Sequence, residues 1–298
     1  MSELLFLMIF GHFLADYLFQ TSSVNKQKES KDIRERCFGL LKHIATHFLV
    51  YFSVTLLLGQ NTFFTFGVIL LICVFHLFID FVKVVIKNID FVKSSTWYSM
   101  WLYIFDQIFH IVSIIWLLNL SGLITYEWKD ILLFLDSFLF NHSSVLFSFS
   151  TIDKIAVIGT VVMFNTYFCA YLLEILLKPI RPNKGSFVDS TVEKKSSVNY
   201  KDGKLTSEFL IETINKETNF EEPSLSVGKY IGMVERLLMM LLIAFQAFTA
   251  ITFLVTIKAL TRFKQFDDKC FAEYYLIGSL TSILLGIISG VLIMLTLK

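Results

Sequence analysis

Five of the six histidines in this 298-residue chain fall into four pairs that share one spacing. The pairs are His12-Asp16 in HFLAD, His43-His47 in HIATH, His76-Asp80 in HLFID and Asp106-His110 in DQIFH, each inside an apolar stretch. A gap of four puts both side chains on one face of a helix, one turn apart. Imidazole and carboxylate are the usual nitrogen and oxygen ligands of zinc, iron and manganese. These groups suffice for one or two divalent ions. An isolated carboxylate in lipid costs about 2.5–3.5 kcal/mol on insertion scales, so Asp16, Asp80 and Asp106 each require a partner. Taken singly, each pair is also explained as a polar contact between helices. Four pairs with one gap favour a shared centre.

The elements that position these groups are read from composition. The chain is 55% hydrophobic with 32 phenylalanines and 3 prolines, and its mean hydropathy is +0.66. A soluble chain of this length carries more charge than the 17% found here. Seven apolar runs are long enough to approach a membrane span, at about 3–20, 38–59, 63–87, 97–119, 152–178, 229–257 and 271–297. The expected fold is all-α, a polytopic transmembrane helical bundle of about seven spans. Its N-terminal four-helix bundle carries the polar or metal site. The N-terminus lacks the basic region of a cleavable signal peptide. Cys37, Cys73, Cys169 and Cys270 are scattered without a CxxC, which argues against disulfides and for ordinary thiols. The net charge of +1 gives no reason to expect a nucleic-acid partner.

Four regions follow. Residues 1–120 form the four-span domain with the pairs, and 121–178 hold an interfacial segment (ILLFLDSFLF) plus the fifth span. Residues 179–227 read as a polar cytoplasmic loop with one short helix over 206–216, and 228–298 as a transmembrane hairpin. Basic residues in 21–37 and in the link after the third span place both on the cytoplasmic side, with the N-terminus outside. Lys258, Arg262, Lys264 and Lys269 break this pattern, because seven spans would put them outside. At 1.5 Å rise per residue, all four pairs lie in the cytoplasmic half of the bilayer. An up-down bundle brings them level, as soluble di-iron bundles do with inward carboxylates and histidines.

Other polar residues have candidate roles around this centre. Gln20 and Gln107 suit hydrogen bonds to the ligands, and Lys83 suits a headgroup or a phosphate. His142 lies in an outer link and is read as unrelated. In the C-terminal part, Glu273 is expected to pair with Lys258 or Arg262, or those two cations to hold a phosphate. Gly228, Gly232, Gly278, Gly286 and Gly290 read as close helix packing.

The segments GHFLADYLFQT, KHIATH, HLFIDFVK and DQIFH, covering about residues 5–115, resemble the bacterial multi-pass membrane proteins grouped as domain-of-unknown-function family 3307. GKYIGMVERLL, KALTRF and AEYYLIGSLTS resemble segments of longer members. The resemblance implies an integral protein of the bacterial cell membrane and brings no activity. A looser similarity, to membrane-bound metal-dependent hydrolases, points toward an enzyme.

Three functions fit the residues. The first is a membrane-embedded metal-dependent hydrolase of a lipid-linked or phosphate-bearing substrate, using zinc, manganese or iron. The second is a divalent-cation or proton-coupled transporter, although eight ligands form a tight cage where conduction needs weak binding. The third is a structural membrane protein with a polar core.

Overall fold

The computed structural model describes residues 2–125, 129, 149–181, 188–201, 204–217 and 225–297. Helix α1 (Ser2–Phe13) runs on through a π-turn, Leu14–Leu18, and a short helix α2 (Ser22–Lys28) follows at 90° to it. Thr21 starts α2 by accepting a hydrogen bond from the Val24 amide. Three long helices complete the N-terminal bundle: α3 (Ile33–Leu57), α4 (Phe63–Lys87) and α6 (Thr96–Leu120), with a one-turn α5 (Asp90–Ser94) before the last. Asp32 and Thr62 cap α3 and α4.

The fifth span is α7 (Thr151–Met163), a second π-turn at Phe164–Phe168, and α8 (Cys169–Leu177). Strands β1 (Val188–Lys201) and β2 (Lys204–Glu217) then pair antiparallel, with Lys201 opposite Lys204. Helices α9 (Leu225–Ala244), α10 (Phe248–Thr261) and α11 (Lys269–Leu297) close the chain.

Among the described residues, five helical segments are long and apolar enough to cross a membrane, and six if the bent α1–α2 pair counts as one span. Large apolar side chains such as Leu57, Phe63, Phe78 and Phe109 stay exposed on their outer faces. A helical bundle that satisfies its backbone internally and shows such a surface is a multi-pass membrane protein.

Three expectations need correction. The run 229–257 is not one span but α9 and α10, broken at Phe245–Ala247. Gln246 takes φ 57° there, and the Ala247 amide bonds back to the Leu242 carbonyl at 2.8 Å, a left-handed cap that ends α9. The helix expected over 206–216 is instead strand β2, whose Thr206, Ile211, Thr213 and Ile214 favour extended backbone. Among the glycines, Gly278, Gly286 and Gly290 do meet neighbouring helices, whereas Gly228 faces open space and Gly232 faces Arg236 of its own helix. The ILLFLDSFLF segment and His142 lie outside the described residues.

The break at 245–247 also resolves the charge pattern. Ser282 meets Arg236, Gly286 meets Met239, and Gly290 meets Ile243, so α11 runs parallel to α9. Helix α10 must therefore return the chain to the side where α9 began. Lys258, Arg262, Lys264 and Lys269 then lie on the same side as the end of α8, where Gly278 meets Leu177.

Candidate metal centre

Three of the four pairs sit on uninterrupted helices, α3, α4 and α6, which their apolar faces turn toward one another. Beyond the pairs, Leu4, Met8, Tyr51, Ile69, Ile72 and Ile114 fill a dry core that sets the rotation of each helix. The remaining pair, His12-Asp16, straddles the junction of α1 with its π-turn. A π-turn widens the helix by one residue and is common at functional sites. Here it carries Asp16 to within 3.9 Å of histidines on α3 and α4.

All eight paired residues join one connected cluster. His43 Nε2 and His47 Nε2 lie 3.2 and 3.0 Å from Asp16 Oδ1, with His76 Nε2 at 3.9 Å. Asp80 Oδ2 is 3.3 Å from His43 Nε2 and 3.8 Å from His76 Nε2, while its Oδ1 is 3.7 Å from His110 Nε2. His110 Nε2 lies 3.4 Å from Asp106 Oδ1 and His12 Nε2 lies 3.5 Å from Asp16 Oδ2. The five imidazoles are buried and stack at ring separations down to 3.9 Å. Each directs Nε2 inward, whereas Nδ1 of His12, His43 and His110 has no hydrogen-bond partner.

Two overlapping groups have metal-ligand proximity: Asp16, His43, His47 and His76, and His76, Asp80 and His110. Zinc–nitrogen bonds of about 2.0–2.1 Å put tetrahedral ligand atoms about 3.3–3.4 Å apart. In the first group the three ring nitrogens lie 3.0 to 3.9 Å from Asp16 Oδ1, a range that brackets that value.

Lys83 and Gln107 join the centre. Gln107 donates to Asp16 Oδ2 at 2.9 Å and to Asp106 Oδ2 at 3.2 Å, and its Oε1 faces His12 Nε2 at 3.3 Å. Lys83 Nζ donates to Asp106 Oδ2 at 2.6 Å, so the ammonium turns inward. Gln20 reaches the edge, where its amide oxygen, turned inward, accepts from Lys28 Nζ at 3.2 Å. Lys258 and Arg262 lie elsewhere: Lys258 pairs with Glu235 and Arg262 donates to Gln265. Glu273 faces Lys269 instead, one turn along its own helix, because α10 presents Lys258 to α9.

Sequence spacing missed Lys28. Its ammonium is buried and donates to Asp80 Oδ2 at 2.7 Å. Helix α2 reaches the centre because Gly39 on α3 leaves room for it: a Cβ there would lie 2.7 Å from the Lys28 amide nitrogen and 2.8 Å from Gln27 Cβ. The Lys87–Glu29 pair at 2.6 Å ties the end of α4 to the same turn. The local sequence signal for this helix is Thr21, a residue type that caps helices, at the start of the charged link.

No curated protein and no solved structure matches the chain. The stretch that matches a family model holds all eight paired residues as well as Lys28, Lys83 and Gln107, and leaves α7 to α11 outside it. Over residues 4–139, which take in nearly the whole N-terminal bundle, the chain matches the family described as protein of unknown function (DUF3307).

Proposed function

We propose that the N-terminal bundle is a membrane-embedded, metal-dependent hydrolase that acts on a lipid-linked, phosphate-bearing substrate. One observation carries the metal reading: the crowding of ring nitrogens around Asp16. His43 Nε2 and His76 Nε2 face each other at 3.1 Å, and both lie near the oxygen that His47 also approaches. Two facing nitrogens cannot both donate, and one carboxylate oxygen accepts about two hydrogen bonds. A divalent ion on Asp16, His43, His47 and His76 would take up these crowded lone pairs together, with no proton needed between the rings.

The charge balance supports one ion rather than two. Three aspartates against Lys28 and Lys83 leave one negative charge when the imidazoles are neutral. One divalent ion with a bound hydroxide makes the centre neutral, whereas two ions leave a large positive excess in a low-dielectric site. Such an ion lowers the pKa of bound water toward neutrality and supplies a nucleophile. Lys83, with its side chain 30% exposed, and Lys28 stand where an anionic substrate would enter. By the positive-inside rule this face is cytoplasmic, since it collects the basic residues of 21–37, Lys83, Lys87, Lys93 and those from Lys258 to Lys269. The family resemblance supports a bacterial cell membrane.

A second reading is a proton-coupled carrier or polar core without metal. It is favoured by the same arithmetic, because one imidazolium also neutralises the cluster. It is favoured too by the unpartnered Nδ1 atoms, since metal-bound histidines usually donate through the other nitrogen.

Metal content by mass spectrometry separates the two. Detergent-purified protein should hold about one equivalent of zinc, manganese or iron, lost in His76→Ala with Asp80→Ala. A fully folded protein without metal, before and after loading with each ion, would overturn the hydrolase reading in favour of proton handling.

A further inference from the structure

Arg236 is a buried cation in the middle of α9 that the metal centre does not use. It is 3% exposed, yet none of the described carboxylates forms an ion pair with it. Its neighbour Glu235 is held by Lys258. The guanidinium instead donates from Nε to the Asn165 carbonyl at 2.9 Å and from Nη2 to the Thr166 carbonyl at 3.1 Å. Both carbonyls belong to the second π-turn, a geometry that interrupts the regular helical ladder. Nη1 reaches Ser282 Oγ only at 3.5 Å. Gly232, one turn earlier, leaves the space in which the Nη1 end lies: a Cβ there would be 3.3 Å from that nitrogen.

Capping the π-turn explains the Nε edge and not the rest. Five N–H donors serve three acceptors, so the Nη1–Nη2 end keeps hydrogens that suit a bidentate anion. Among the described residues, Lys258 and Arg236 against Glu235 leave one uncompensated positive charge at a place where burial makes this expensive. A cleft between α9, α10 and α11 borders these groups, lined by Glu235, Arg236, Lys258 and Ser282 with Leu254 and Ile283. The cleft has a volume of about 20 Å³, room for one water-sized group such as a single oxygen of an anion. A tetrahedral anion would enter by one oxygen and leave its substituent outside, along the apolar side of α10.

We propose that this cleft binds a phosphate-type anion between Arg236 and Lys258. Its source is the headgroup of an anionic lipid or free phosphate. This site is separate from the histidine cluster and lies outside the matched family region.

The test is native mass spectrometry of the detergent-purified full chain with phosphatidylglycerol or inorganic phosphate added. Arg236 itself is left intact, because its loss would unfold the π-turn. The parent protein should retain one anion, Lys258→Gln should lower retention several-fold, and Glu235→Gln should raise it several-fold. Retained phosphatidylglycerol that phosphate does not displace identifies the lipid source, and binding of phosphate in its place identifies the free anion. Either result supports the site. Retention of neither, or a change of the same sign in both variants, would overturn it, since a purely structural Glu235–Lys258 pair predicts that both variants act alike.

Discussion

Lys28→Met tests the centre most sharply, because a metal site and a structural polar network predict different outcomes. Methionine keeps the length of the side chain and removes the ammonium that donates to Asp80 Oδ2 at 2.7 Å. That oxygen lies 3.3 Å from His43 Nε2. An ion about 2.1 Å beyond that nitrogen is then no farther than about 8 Å from the ammonium. At an effective dielectric of about 20, a single and a double positive charge at that distance repel by about 4 kcal/mol. Without the ion, the variant takes up a proton in place of the lost charge, and the ion must displace it, which returns much of this energy. A net gain of at least about 1.4 kcal/mol, tenfold tighter binding, is expected. The assay is calorimetric titration of metal-stripped, detergent-solubilised protein with zinc, beside thermal melting without metal. The variant should bind zinc more tightly and melt lower when metal-free. An unchanged or weaker zinc affinity in a folded variant refutes the reasoning, because a structural network loses only stability.

Two other predictions concern the cover and the sidedness. Gly39→Ala would improve α3 as an isolated helix by about 1 kcal/mol, yet its Cβ meets the α2 backbone at 2.7 Å. A net loss of about 1–3 kcal/mol is therefore expected, together with faster thiol labelling of a Lys28→Cys probe; unchanged labelling would show that α2 does not depend on that close approach. Cys37 is exposed at the start of α3. With Cys270→Ser as background, an impermeant maleimide should label Cys37 in inverted vesicles and spare it in intact cells, and the reverse would invert the topology.

Much of the centre was legible because helical periodicity is local. A spacing of four residues in an apolar run fixes which side chains share a helix face, and counting residues from each span end sets their depth. The same arithmetic failed where the backbone left regular helix. Nothing at Phe245-Gln246-Ala247 marks a break, since neither glycine nor proline stands there, and Gln246 takes the left-handed conformation that glycine usually takes. The hairpin also has a sequence signal. Asp202-Gly203 lies between two stretches rich in β-branched residues, a strong two-residue turn signal, while the capped run from Thr206 reads equally as a helix.

By itself, then, the sequence determined a multi-pass helical membrane protein and a cluster of five histidines and three aspartates. Each of those residues is specified by its own helix and by the cost of leaving a carboxylate alone in lipid. Tertiary structure decided the charge of the centre. Lys28 enters through a 90° bend and the gap above Gly39, and Lys83 turns inward to Asp106 rather than outward to the headgroups. It also decided that Lys258 meets Glu235 and that Arg236 has no acidic partner among the described residues. Pairings between distant segments depend on helix rotation and register. Those are set by the summed packing of many apolar side chains, which no short stretch of sequence records.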